Sequence, residues 1–167
     1  MWDDIEWFVG DSAYTFCVGE VAPEVKKLLK ATKDSLYLGI QCAVEGHRLG
    51  DISNAIQTYC ESQGYSVVRE LVGHGIGRKM HEEPEVPNYG RRGCGPLLRN
   101  GMCICIRADD QHGKQERCIL RKTDGRFAQR TESLLLISSI VSLYVRMVPR
   151  SYLHLSFLEE VLGENAI

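Results

Sequence analysis

The segment with the most chemical potential is residues 73–90, which reads G-H-G-I-G-R-K-M-H-E-E-P-E-V-P-N-Y-G. His74 stands between two glycines, which permit a close backbone approach and let an imidazole lie at the edge of a loop. His81 follows in the same segment, with Glu82 and Glu83 directly after it. A single histidine or glutamate usually has a structural or solvated role. Two histidines beside paired carboxylates favour metal binding or proton transfer.

Asp11 is a second candidate for chemistry, because it lies in Gly10-Asp11-Ser12 next to a predicted strand. A carboxylate in this place can ligate a hard or borderline divalent cation. The alternative interpretation is an ordinary turn aspartate, whose side chain hydrogen-bonds to nearby backbone. The local sequence alone leaves both interpretations open.

The cysteines follow no pattern that predicts a zinc cluster. They occupy positions 17, 42, 60, 94, 103, 105 and 118, and no Cys-x-x-Cys pair occurs. An odd number of scattered thiols is typical of a reduced intracellular protein. We therefore expect structural thiols that pack as small apolar side chains.

The elements that must position these residues are predicted from hydrophobic periodicity and turn residues. Apolar side chains recur at helical spacing over residues 24–44, directly after Pro23, which suits a first helical turn. A second helix is predicted over residues 51–63, capped by Asp51 or Ser53. Because a pair of helices falls between strands, the pattern favours an α+β fold. Strands are predicted at residues 13–18, 65–71 and 102–106.

Composition and charge narrow the classes of function. The chain has 167 residues, of which 44% are hydrophobic, and this fits one domain with a real core. The formal net charge is −2 and the basic residues form no block, so no nucleic-acid partner is predicted. No apolar run approaches the roughly 20 residues of a membrane helix, and the acidic start is unlike a signal peptide. The expected location is the cytoplasm, without a membrane partner.

Three strings together resemble the type I methionine aminopeptidases. G-H-G-I-G-R-x-x-H-E-E-P-x-V-P-N-Y at residues 73–89 is similar to the signature of that family. G-D-S-A-Y-T-F-x-V-G-E and N-G-M-C-I-C-I lie at the distances typical of the family. The resemblance covers about residues 10–106. It implies part of a pita-bread fold, in which two related halves surround a cleft that holds two divalent metals.

The resemblance also implies the roles of three residues. It makes Asp11 the bridging aspartate ligand and His74 the histidine ligand, while His81 becomes a catalytic histidine that contacts the substrate peptide. The two ions, drawn from Mn, Fe, Co and Zn, would polarise the scissile carbonyl and deprotonate a water. The implied reaction is hydrolytic removal of the N-terminal methionine from peptides or nascent chains, near the ribosome.

The sequence departs from the family at several expected metal ligands. A further aspartate ligand is expected upstream of Asp11, before the first residue of this sequence. The family continues with Glu-Pro-Met after N-G-M-C-I-C-I, whereas this chain has Arg107-Ala108-Asp109. A guanidinium has no lone pair for a cation and repels it. The later Glu-His-Thr or Glu-His-Ser motif is also absent.

Two shifts of the reading frame account for the two departures that follow Ile106. If residues 107–113 are written CGA GCC GAT GAT CAA CAT GGG and the first base is dropped, the codons read Glu-Pro-Met-Ile-Asn-Met, as in the family. A second shift that starts within the codon of Lys122 reads Asp-Gly-Trp-Thr-Val-Arg-Thr-Lys and later Ala-His-Phe-Glu-His. The glutamate of that reading spans the codons of Ser138 and Ser139.

These observations predict a single partial catalytic domain with three stretches. Residues 10–106 are similar to the family, residues 107–156 are out of frame, and residues 157–167 form a tail that is again similar to the family. We expect residues 107–156 not to pack, a metal pair to bind weakly, and the chain as written to be inactive. A non-catalytic pita-bread protein that binds a partner and a prolidase-like aminopeptidase are the alternatives.

Overall fold

The computed structural model describes the backbone of residues 2–5, 8–15, 17, 19–112, 121–123, 126–128, 136–144 and 150–151, and the side chains of residues 8–15, 17 and 19–111. The predicted tail at 157–167 and Cys118 lie outside the described residues. The helices are α1 (Pro23–Cys42) and α2 (Leu49–Ser62). The strands are β1 (Trp2–Ile5), β2 (Phe8–Ala13), β3 (Tyr65–Val67), β4 (Gly73–Gly75), β5 (Glu82–Val86), β6 (Cys103–His112), β7 (Arg121–Thr123), β8 (Arg126–Ala128), β9 (Leu136–Tyr144) and β10 (Arg150–Ser151).

Both predicted helices are confirmed, with small shifts at their ends. α1 begins at Pro23, whose fixed φ suits a first turn. α2 begins at Leu49, earlier than predicted, because Asp51 lies inside the first turn and not at the cap. Its carboxylate accepts hydrogen bonds from the backbone N–H of Arg48 at 2.8 Å and of Gly93 at 2.9 Å. Among the described residues, neither helix has the length and apolarity needed to cross a membrane.

Two strand predictions are wrong in their bounds, because pairing partners and not β-forming residues decide where a strand runs. The strand predicted at 13–18 is β2, Phe8–Ala13, which pairs with β1 along its length and with β9 at Ser12 and Ala13. The strand predicted at 65–71 is the shorter β3. It ends at Val67, which pairs with Asp110 near the end of β6.

The main sheet is antiparallel at every described pairing, with the strand order β1-β2-β9-β6-β4-β5. β3 adds to the far end of β6, and β10 adds to β9. β7 and β8 form a separate two-stranded ribbon. Both helices pack against the sheet, α1 on β6 and α2 on α1 and β3. This is the α+β arrangement predicted from the chain.

β6 is longer than predicted and runs past Ile106 to His112. It pairs with β9 in continuous register from Cys103↔Tyr144 to Gln111↔Leu136. The expectation that residues 107–156 do not pack is therefore wrong for residues 107–111, and it is also wrong for the backbone of β9, which forms a continuous ladder with β6. The ladder with β9 satisfies the backbone of these residues, so the strand continues whatever side chains it carries.

The core lies between the two helices and the even-numbered face of β6. Leu36, Ile52, Ile56, Ile104 and Ile106 are all 0% exposed and belong to one cluster. Side chains alternate across a strand, so Ala108 and Asp110 point to the same face. The opposite face of β6 carries Cys103, Cys105, Arg107 and Asp109.

Candidate metal centre

His74 is positioned by the glycines that flank it. It lies on β4 between β5 and β6, where it pairs with Glu85 on one side and Cys105 on the other. A Cβ on Gly73 would meet the backbone oxygen of Cys105, and one on Gly75 would meet the backbone of Glu83. Neither glycine has a positive φ, so close approach of neighbouring strands is what requires them.

Asp11 and His74 lie far apart in sequence and come together across the sheet. The Nε2 atom of His74 lies 3.7 Å from Oδ2 of Asp11. The Sγ thiol of Cys105 donates to the same Oδ2 atom, also at 3.7 Å. The side chains of His74 and Asp11 are 10% and 14% exposed, and Cys105 is fully buried. Three potential ligand atoms therefore face one small space.

The electrostatics of this group are set mainly by the histidine–aspartate contact. The close contact with the His74 ring lowers the pKa of Asp11, against the opposing effect of burial. The same contact raises the pKa of the His74 imidazole, again against burial. The positive charge of Arg107 adds to the lowering of the Asp11 pKa and opposes the raising of the His74 pKa.

His81 lies beside His74, and the two ring centroids are 4.3 Å apart at an interplanar angle of 47°. Its side chain is exposed, unlike that of His74. Glu82 and Glu83 are also exposed. The carboxylate of Glu82 accepts a hydrogen bond from the backbone N–H of Lys79 at 2.8 Å, which closes the loop before β5. The glutamate pair thus belongs to the loop and the solvated face, while His81 borders the site.

Cys105 is a site residue that the sequence analysis missed, since all cysteines were interpreted as structural thiols. Asp11, His74 and Cys105 offer ligand atoms that all lie within 4.8 Å of one another. A signal was present in the chain: Cys105 stands two residues before Arg107, the position where a ligand glutamate was expected. Residues two apart on a strand share a face.

Arg107 is turned toward a neighbour on its own strand. Its Nε atom donates to Oδ2 of Asp109 at 2.7 Å, and the Asp109 side chain is 0% exposed. The strand position expected to supply a carboxylate therefore presents an internal ion pair. Among the described residues, the three clustered ligand atoms suit one ion and are too few for two.

The fold and this group of residues define a class. A sequence profile described as metallopeptidase family M24 matches residues 5–139. The chain belongs to metallopeptidase family M24, and its fold is part of the pita-bread fold of that family.

Within this family the chain is similar to methionine aminopeptidases. It is 58% identical over 99 residues to the methionine aminopeptidase of Clostridium acetobutylicum, a match that covers 59% of this chain and 40% of the relative. The structure of methionine aminopeptidase from Rickettsia prowazekii superposes with a TM-score of 0.82 at 35% identity, over 88% of this chain and 59% of that one. A prolidase from Pyrococcus horikoshii OT3 shares the fold alone, with a TM-score of 0.64 at 16% identity over 87% of this chain and 36% of that one. The chain thus spans about 40% of the length of the curated relative.

Proposed function

We propose that this chain derives from a methionine aminopeptidase and is inactive as written. The observation that carries the proposal is the contact between Asp11 and His74, 3.7 Å apart in the M24 fold, with the His81 ring 4.3 Å from that of His74. Asp11 and His74 are the retained metal ligands, and His81 contacts the substrate. The reaction of the intact enzyme is removal of the first methionine from peptides and nascent chains, near the ribosome in the cytoplasm.

The register of β6 and β9 supports the frame-shift part of the proposal. The shifted frames place the two missing glutamates at Arg107 and across the codons of Ser138 and Ser139. In the sheet, Arg107 pairs with Ile140, and Ala108 pairs with Ser139. Two positions separated in sequence are therefore neighbours on adjacent strands, which brings them close enough to serve a shared metal pair.

The side chains buried on β6 give further support. Asp109, Asp110 and Gln111 are 0%, 0% and 2% exposed. Charged residues are almost never fully buried unless they are paired. Asp109 is paired with Arg107, whereas neither carboxylate oxygen of Asp110 has a hydrogen bond among the described residues. The shifted frame reads Met-Ile-Asn at these three positions, which places apolar side chains at the two aspartates. The strand thus keeps the environment of the family sequence while carrying out-of-frame residues.

Inactivity follows from the charge available at the site. A pair of divalent ions supplies the activated water and polarises the scissile carbonyl when bound. Two such ions need several carboxylates close together, whereas the described cluster offers one. Arg107 cannot deprotonate and cannot act as a proton shuttle. We therefore expect weak binding of a Mn²⁺ pair and no turnover.

The test is release of free methionine from a Met-Ala-Ser peptide with excess Mn²⁺ or Co²⁺. The chain as written should give none, and a frame-corrected protein that also includes the N-terminal half of the family domain should give turnover. In the corrected protein His74→Ala should abolish activity. His47→Ala, at an exposed histidine between the helices, is the matched control and should leave activity unchanged.

Three results would contradict the proposal. Turnover by the chain as written, lost in His74→Ala, would mean that fewer ligands suffice. A corrected protein that cleaves only Xaa-Pro peptides would be prolidase-like. A corrected protein that folds but cleaves neither substrate would favour a non-catalytic binding protein.

A further inference from the structure

We propose that Asp11, His74 and Cys105 form a site for one thiophilic divalent ion, of the Zn²⁺ class, with the Cys105 thiolate as a ligand. The inference rests on the proposed function for Asp11 and His74 as ligands. It adds a third ligand that the family reaction does not require. The proposed site also differs in its metal content. The family centre holds two ions bound by carboxylates, whereas this site holds a single ion bound partly by sulfur.

The distances between the three ligand atoms fit a tetrahedral ion. Zn–S, Zn–N and Zn–O bonds of about 2.3, 2.05 and 2.0 Å imply ligand separations of about 3.3 Å for N···O and about 3.5 Å for pairs with sulfur. The observed Nε2···Oδ2 and Sγ···Oδ2 separations are both 3.7 Å, and the remaining pair lies within 4.8 Å. Small side-chain movements close the group around an ion.

The hydrogen bonding of His74 leaves the correct nitrogen for the ion. Its Nδ1 atom lies 2.9 Å from the carbonyl oxygen of Gly75. A carbonyl only accepts, so Nδ1 carries the proton and donates it to Gly75. In the neutral ring Nε2 then presents its lone pair toward Asp11. Metal-binding histidines are commonly oriented by a backbone carbonyl in this way.

The backbone around the site holds two of the ligands in place. His74 and Cys105 are directly paired residues of β4 and β6. Both are buried, at 8% and 0% exposure. The close contacts of Gly73 and Gly75 lock β4 between its neighbours. A ligand set on rigid strands loses little freedom when an ion binds.

Charge and softness select the ion. Binding requires the Cys105 proton, and the Nε2 proton of His74 when that ring is charged, to leave to solvent. The thiolate and the Asp11 carboxylate then together balance a charge of +2. The ion pair with Asp109 at 2.7 Å offsets part of the Arg107 charge that acts on the site. Thiolate ligands favour Zn²⁺ and Co²⁺ over Mn²⁺ and Mg²⁺, which prefer oxygen. A solvent molecule can supply the fourth ligand, since the Asp11 side chain is 14% exposed.

The experiment is a Co²⁺ titration of the reduced chain as written. Binding is monitored through the thiolate-to-cobalt charge-transfer absorption. We expect one ion per chain with a charge-transfer band, and displacement of Co²⁺ by Zn²⁺. Cys105→Ser should remove the band. Cys103→Ser, the same exchange on the same strand, should keep it. Asp11→Asn retains the thiol and should weaken Co²⁺ binding at least ~10-fold.

Several outcomes would overturn the inference. These are no band at saturating Co²⁺, a band that survives in Cys105→Ser, or a band lost equally in Cys103→Ser. If circular dichroism shows that Cys105→Ser does not fold, Asp11→Asn and His74→Ala decide the matter, and unchanged affinity in both refutes the site. The proposed function fails separately, through the peptide assay of the frame-corrected protein, which does not depend on Cys105.

Discussion

Asp110 is a charged side chain in the middle of the core, at 0% exposure. The hydroxyls of Thr32 and Ser35 lie nearby but donate to the helix carbonyls of Leu28 and Thr32, at 3.0 and 2.8 Å. Neither carboxylate oxygen of Asp110 has a hydrogen bond of good geometry among the described residues, although the nearby Cys60 thiol and the two hydroxyls offset part of the effect of burial on its pKa. Burial raises the pKa of Asp110 to about 6, so the folded protein carries a desolvated charge at neutral pH.

We predict that Asp110→Ile stabilises the protein at pH 7. A pKa raised from 3.8 to about 6 corresponds to about 3 kcal/mol at neutral pH, and isoleucine also adds apolar burial. Asp110→Asn is the control, since it removes the charge but leaves buried polar atoms, and it should recover only part of the gain. Urea unfolding measures both variants. An unchanged or lower midpoint in Asp110→Ile would show that the carboxylate has a stabilising partner.

The same residue predicts a pH dependence of opposite sign to that of an ordinary salt-bridged aspartate. The folded state holds a proton on Asp110 that the unfolded chain releases above its pKa of 3.8. Stability from this group is therefore present at low pH and is lost as pH rises from about 4 to about 6. The difference in free energy of unfolding between the protein and Asp110→Asn, measured across this range, isolates the effect. A flat difference would refute it.

At the scale of elements, the site depends on how closely β4 and β5 approach. Gly75 has no room for a Cβ, because the backbone of Glu82 and Glu83 occupies that space. Gly77 differs, since a Cβ there would meet only the end of the Glu82 side chain, at 3.0 Å or more. The backbone of Glu82 and Glu83 can make room for a methyl group at Gly75 only if β5 moves. The Glu82 carboxylate can make room for one at Gly77 by rotating.

We therefore predict that Gly75→Ala lowers the free energy of unfolding by about 1–3 kcal/mol, the usual cost of overpacking. It should also weaken Co²⁺ binding, because His74 on β4 moves with the strand. Gly77→Ala is the matched control and should change both quantities little. Equal stability of the two variants in urea unfolding would show that β5 accommodates the extra methyl group.

At the scale of the whole molecule, β6 joins the core to the candidate metal centre. One face packs against the helices through Ile104, Ile106 and Asp110, and the other carries Cys105 and Arg107. Its ladder with β9 holds the strand even where its side chains are unsuited to their surroundings. The frame-shift interpretation consequently depends on which side chains are buried, and not on a loss of strand structure after Ile106.

The triple variant R107E/D109M/D110I places residues of the shifted frame at three positions of β6. We expect it to be more stable than the chain as written and to bind Mn²⁺ more tightly, because it removes two buried aspartates and adds a carboxylate near Asp11. It should still release no methionine from Met-Ala-Ser, since the aspartate expected upstream of Asp11 and the glutamate expected from β9 both stay absent. Arg107→Glu alone should be equally inactive. Turnover by either variant would mean that the ligand count is misjudged.

Local patterns along the chain were enough to predict both helices and the α+β class, and to identify His74, His81 and Asp11 as candidate site residues. Helical periodicity and glycine-bounded motifs are properties of neighbouring residues, so they can be recognised without a fold. The bounds of β2, β3 and β6 needed the tertiary structure, because strands are defined by partners distant in sequence. The same holds for Cys105. The alternation of side chains along β6 predicts that Cys105 and Arg107 share a face, but only the sheet brings the Cys105 thiol to 3.7 Å from Asp11. The burial of Asp110 could not be predicted from the sequence either. It arises because the helices pack over β6, whose backbone ladder with β9 forms whatever side chains the strand carries.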